Sequence, residues 1–158
     1  MKLLLVQHGD AVPKEENPDR PLSPRGRSQV EHLATFLGNS GLRVARVLHS
    51  GKLRAAETAE LLAARLLPDA KAEATAGLNP NDRTEQIATQ AVRWNEDVAL
   101  VGHLPYMAKL AGRLLANNED ASIVAFVPGT AACLERTGAD RWSLAWMIRP
   151  ELLSHTAR

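Results

Sequence analysis

The sequence predicts an α/β protein: a three-layer α/β/α sandwich with a mostly parallel sheet and an antiparallel edge. Three observations predict it. Short apolar runs alternate with helical patterns over most of the chain, which calls for right-handed crossovers and a sheet covered on both faces. Two strand-like runs near the C-terminus, 131–136 and 142–148, flank Thr137-Gly138-Ala139-Asp140 and read as a hairpin. Two earlier runs end on histidine, at Gln7-His8-Gly9 and Gly102-His103. That places imidazoles at the carboxyl ends of strands, where open α/β sheets bind ligands.

Leu3–Val6 is the first strand, a short apolar run stopped by a turn residue. Residues 8–22 contain Pro13, Pro18 and Pro21 and read as a loop. Ser23 and Pro24 open a helix as N-cap and first helical residue; Val30, Leu33, Ala34 and Leu37 form its apolar face, and Gly38 is expected to end it. Val44–His49 is a second strand. The alanine- and leucine-rich stretch Leu53–Leu67 is a second helix, stopped at Pro68. Residues 69–81 are irregular. Asp82–Trp94 is expected as a third helix capped by Asp82, followed by a strand at Val98–Val101 and a helix at 105–116. Ile123–Val127 reads as a further strand-like run. No linker is evident, so residues 1–158 are expected to form one domain.

At 158 residues and 45% hydrophobic content the chain is long enough for a real core. A net charge of +1 gives no global field for nucleic acid or a membrane surface. The apolar stretch at the N-terminus is too short for a span or a signal peptide, and a cytoplasmic location is expected. The one cysteine, Cys133, has apolar neighbours and reads as a buried thiol. His32 and His155 are expected on the surface, His49 in a peripheral or packing role, and Trp94, Trp142 and Trp146 in packing.

Four segments in order are similar to the motifs of the histidine phosphatase superfamily. They are Gln7-His8-Gly9-Asp10, Arg20-Pro-Leu-Ser-Pro-Arg-Gly26-Arg-Ser-Gln29, His49-Ser50-Gly-Lys-Leu-Arg54-Ala55-Ala-Glu-Thr58 and Gly102-His103-Leu-Pro105. Within that superfamily they most resemble the small SixA-type phosphohistidine phosphatases. The resemblance implies a phosphoglycerate mutase-like fold, no cofactor or metal, and a phosphohistidine intermediate on His8. It implies Arg54 and His103 as further catalytic groups, with Gln7, Gly9, Arg20 and Ser50 around the substrate.

The chemistry is consistent with these residue types. An imidazole has an ordinary pKa near about 6.5, so much of it is neutral and nucleophilic at neutral pH. If one ring nitrogen attacks, the other must carry the proton, and a backbone carbonyl in the turn after the strand would hold it. A covalent intermediate divides one hard displacement into two easier ones. The arginine fork suits a transferring phosphoryl group, and His103, if protonated, would add charge on the other side.

Gln7 departs from the family, which has arginine there. The side chain keeps its donors but loses charge and fork geometry. Arg20, Arg25 and Lys52 are candidate substitutes, and the SixA-type resemblance favours Arg20. Asp10 and Asp82 are the available proton donors. The absence of an obvious acid and the small size lean toward a protein-borne phosphohistidine, carried by a histidine-phosphotransfer protein; a monomer is expected. The competing readings are a small-molecule phosphomonoesterase, a catalytically weak phosphate- or phosphoprotein-binding module, and a metal site using His8, Asp10 and His103.

Overall fold

The computed structural model describes residues 1–153; His155 lies outside the described residues. Six strands form one sheet in the order β3-β2-β4-β1-β5-β6. They are β1 (Lys2–Gln7), β2 (Arg46–His49), β3 (Glu73–Ala74), β4 (Val98–Gly102), β5 (Ala131–Arg136) and β6 (Trp142–Ile148). The first four are mutually parallel, and β5 and β6 add an antiparallel edge. The helices are α1 (Pro24–Asn39), α2 (Leu53–Leu66), α3 (Glu85–Ala91) and α4 (Tyr106–Ala116).

Strand alternation sorts β1 between two cores. Leu3 and Leu5 pack with Ile87, Met107 and Leu110 of α3 and α4, whereas Leu4 and Val6 pack with Leu33, Leu37 and Leu62 of α1 and α2. Burying each such side chain stabilises the fold by roughly 1.5–3 kcal/mol, so the pattern fixes which residues face which layer. The chain leaving β1 turns to α1 on one face, and the chain leaving neighbouring β4 turns to α4 on the other. A crevice therefore opens at the carboxyl ends of β1 and β4, the switch point of the sheet.

Local chemistry accounts for the helix ends. Ser23 caps α1, its hydroxyl accepting from the Gly26 N–H at 3.0 Å, with Pro24 in the first turn. The helix continues through Gly38, contrary to expectation, to Asn39. Its last carbonyls are met by the Ser40 hydroxyl, which donates to Leu37 O at 2.6 Å.

The third helix is shorter than its apolar pattern implies. Asp82 does not cap it: Asp82 accepts from the Asn79 N–H at 2.9 Å in the preceding turn, and Thr84 holds the cap position. Residues 123–127 form no strand. Each side of β1 and β5 is already paired, and Val124 and Phe126 are buried against the core as irregular chain. The two-residue β3 lies in the stretch 69–81 that the sequence predicts as irregular; both its residues are exposed, so no apolar signal marks it. Trp142 is buried and Trp94 and Trp146 pack partly against the cores. His32 is exposed. Burial raises the Cys133 thiol to about 11, which leaves it un-ionised at neutral pH.

Candidate active site

The parallel pairing of β1 with β4 puts Gln7 opposite Gly102, and the His8 N–H donates to Gly102 O at 3.0 Å. The next residue on each strand is therefore delivered to the same place. The rings of His8 and His103 stand with centroids 4.9 Å apart and planes tilted by 53°.

His8 is held from one side. Its Nδ1 lies 2.7 Å from the carbonyl oxygen of Gly9. A carbonyl can only accept, so Nδ1 carries the hydrogen and Nε2 presents its lone pair. This turn needs glycine because it presses against α1: a Cβ on Gly9 would lie 2.7 Å from Val30 Cγ2. Gly26 serves the same contact from the helix side, where a Cβ would lie 2.0 Å from Asp10 O.

Thr58 ties this turn to α2. Its Oγ1 accepts from the Gly9 N–H at 3.0 Å and donates to Arg54 O at 2.8 Å. In the sequence Thr58 stands out only as part of a motif; the buried hydroxyl that couples the His8 turn to the Arg54 turn is visible only in three dimensions.

His103 is 2% exposed. Its Nε2 lies 2.6 Å from Ser50 Oγ, and its Nδ1 is buried without a protein partner. Ser50 thus contacts His103 and also accepts from the Lys52 N–H at 3.3 Å. Neighbouring His49 is buried, and its Nδ1 accepts from the Gly51 N–H at 3.0 Å, shaping the same loop.

Both imidazoles are neutral at neutral pH in the free site. Burial lowers His8 to about 4, helped by Arg54 and Arg20 and opposed by the Gly9 hydrogen bond and Asp10. Burial lowers His103 to about 3, helped by His8, Arg54, Lys52 and Arg20. His8 thus presents a neutral ring, as its residue type allows. His103 is neutral as well, because a buried imidazole surrounded by positive charge resists protonation.

The same electrostatics locate the cations. The charges of Arg54 and Arg20 act on both histidines, and that of Lys52 on His103. Arg54 has its own pKa lowered by burial and by Arg20, and its Nε is buried without a protein partner. Arg20 reaches the site from the long loop with a left-handed backbone (φ 48°), its Nε donating to Val12 O at 3.2 Å. Glu57 anchors that loop, accepting from the Leu22 N–H at 2.8 Å and from Arg27 at 2.9 Å.

Gln7 is 6% exposed and its Oε1 has no protein partner. Three of the unpartnered buried polar groups, on Gln7, Arg54 and His103, thus converge on the carboxyl ends of β1, β2 and β4. Buried polar groups are ordinarily paired, so this clustering marks a place built for a polar ligand. Arg25 instead lines a neighbouring cavity of about 320 Å³ with Asp10 and Gln29. Asp10 is the carboxylate whose charge reaches His8; its Oδ2 accepts from the Ser23 hydroxyl at 2.6 Å. Asp82 acts instead on Tyr106. Among the described residues no group of three or more His, Cys, Asp or Glu is arranged to hold a metal ion. An apolar groove of about 440 Å³ between Phe36, Leu42 and Trp146 is lined by none of these site residues.

A family model described as the histidine phosphatase superfamily (branch 1) matches residues 3–82. An uncharacterised protein of Picosynechococcus sp. is 32% identical over 118 residues, covering 70% of this chain and 71% of that protein. Among solved structures, the protein histidine phosphatase SixA complexed with tungstate superposes with a TM-score of 0.87 at 23% identity, covering 98% of this chain and 100% of that one. The alpha-ribazole phosphatase of Shigella flexneri superposes with a TM-score of 0.76 at 16% identity, covering 95% and 97%.

Proposed function

Because the chain belongs to the histidine phosphatase superfamily, branch 1, we propose that it is a phosphatase, and specifically a phosphohistidine phosphatase acting on a histidine-phosphotransfer protein. The observation that carries this reading is the His8 imidazole, held at Nδ1 by Gly9 O with its free Nε2 beside two arginines and a second histidine. No single solved neighbour fixes the substrate, since one fold hosts many substrates.

Nε2 of His8 attacks phosphorus, and the P–N bond to the substrate imidazole breaks. The electron pair returns to the leaving imidazole nitrogen, which takes a proton from solvent; the water that attacks in the second step returns one. Water then attacks the phosphorus of phosphorylated His8, releasing phosphate and restoring the neutral ring. The net change is phosphohistidine plus water to histidine plus phosphate. Arg54 and Arg20 bind the phosphoryl oxygens through their forks. His103 donates a hydrogen bond to the phosphoryl group, with Ser50 holding the ring. A bound phosphoryl dianion favours the charged form of His103, so the ring gains a proton as substrate enters. The steps need no metal ion.

An alkoxide leaving group needs a strong, well-placed acid, whereas an imidazole leaves readily once protonated. Asp10, the one carboxylate acting on His8, already shares its oxygen with Ser23, which favours the P–N bond over the ester. The stretch between β3 and α3 is short, which favours approach by a protein surface. The role that follows is signalling in the cytoplasm, by one domain acting as a monomer. Among the described residues no helix is long and apolar enough to cross a membrane.

The test is turnover of a phosphohistidine-bearing phosphotransfer protein against sugar phosphates, with EDTA present. The reading expects the phosphoprotein to be the faster substrate by kcat/KM, with no effect of EDTA. Faster turnover of sugar phosphates would replace it with a small-molecule phosphomonoesterase. Loss of activity on chelation would replace it with a metal-dependent mechanism.

A further inference from the structure

Leu53 and Leu104 are 42% and 39% exposed, and both stand next to the site. Leu53 opens α2 immediately before Arg54, and Leu104 immediately follows His103. The two loops are neighbours. β2 and β4 are paired with His49 opposite Val101, and the Ser50–His103 contact at 2.6 Å joins them beyond the strand ends. Lys52 and Pro105, which flank these leucines, are exposed as well. The rim on this side is thus two leucines and a proline set around cationic groups.

Isolated exposed leucines need no explanation. Two just beyond adjacent strand ends, each next to a proposed phosphate-binding residue, form the pattern of a protein interface: apolar contacts around a polar centre. A small phosphorylated metabolite gains little from them, because its surface is mostly anionic oxygen. A histidine phosphorylated on a folded protein brings that protein's own side chains to the rim together with the phosphoryl charge.

We propose that Leu53 and Leu104 form a docking rim that contacts the protein carrying the phosphohistidine and so selects protein-borne over free substrate. This rests on the phosphohistidine reading above. The occupant is a protein surface, continuous with the site and matched to it by the anionic phosphoryl group facing Arg54, Arg20 and Lys52.

The test uses Leu53→Ser and Leu104→Ser, singly and together, with Leu144→Ser on β6 as an exposed apolar control. Binding of a histidine-phosphotransfer domain, phosphorylated on its histidine, is measured in a His8→Ala background that leaves the phosphoryl group in place. Turnover of that domain and of phosphoramidate is measured with His8 intact. Each rim change is expected to weaken binding by roughly tenfold, the scale of one well-packed contact. It should raise KM for the phosphoprotein while leaving kcat/KM for phosphoramidate unchanged, and Leu144→Ser should do neither. Unchanged binding, or an equal loss on both substrates, would overturn the rim. Binding that depends on the leucines without turnover by the intact enzyme would keep the rim and overturn the phosphatase reading. No binding at all would overturn both.

Discussion

His8 and His103 face each other with ring centroids 4.9 Å apart, yet neither is positioned by the other. His8 is set by the carbonyl of Gly9 and His103 by the hydroxyl of Ser50. Each ring has its own local anchor, and the register of β1 on β4 brings the two anchors together.

The pH dependence follows from burial. His8 and His103 are lowered to about 4 and about 3, so the folded protein binds fewer protons than the unfolded chain below the ordinary value of about 6.5. Their contribution to stability is full above pH 6.5 and is lost as pH falls through the folded values. NMR titration of the free protein should place both midpoints well below 6.5. Removing the nearby charge with Arg54→Ala should raise both. Ordinary midpoints would mean that the rings are more solvated than the structure has them.

Arg20 and Arg54 should carry the charge that Gln7 lacks. Loss of one preorganised donor typically costs about 2.7–4 kcal/mol, a hundred- to thousand-fold in kcat. Arg20→Ala and Arg54→Ala should each fall by about that factor, while Gln7→Arg should gain less than about tenfold. A large gain in steady-state turnover from Gln7→Arg, with little loss from Arg20→Ala, would mean that the cationic role is unfilled and the natural chain is an attenuated catalyst.

Thr58→Val should damage two turns at once. It leaves the buried Gly9 N–H without its acceptor and removes a donor from Arg54 O. A buried group left unpaired costs about 1–3 kcal/mol. Chemical denaturation should show a loss of that size, and kcat should fall because the Gly9 carbonyl that holds His8 is displaced. A loss of stability with full activity would show that the coupling is structural only.

Gly26→Ala should be among the most damaging single-methyl additions. Its Cβ would overlap the Asp10 backbone, the contact that seats α1 against the His8 turn. Overpacking typically costs about 1–3 kcal/mol, and a backbone contact cannot yield as a flexible side chain can. Thermal unfolding with an unchanged midpoint would contradict this placement.

Much of the architecture was legible because its signals are periodic. The continuous apolar run of β1, the Ser23-Pro24 cap and the spacing of Val30, Leu33 and Leu37 have local physical causes, and the structure agrees with them. Residues 123–127 misled because an apolar run is the same whether it pairs or only packs, and the sheet had no free edge beside β1. Asp82 misled because a carboxylate before a helix serves equally in a turn. Within the site, the residue types His8, His103 and Arg54 could be read from motifs. The neutral state of His103, the Ser50 contact and the bridging role of Thr58 could not, since each depends on burial and on groups distant in sequence.

The most direct test of the central claim is to look for the intermediate. The protein is mixed with a phosphohistidine-bearing phosphotransfer domain, quenched at alkaline pH on the millisecond scale, and digested for mass spectrometry. Acid-labile phosphate on His8, at Nε2 by ³¹P NMR and absent from His8→Ala together with turnover, is the predicted result. Turnover that survives His8→Ala, or phosphate recovered on another residue, would contradict the account.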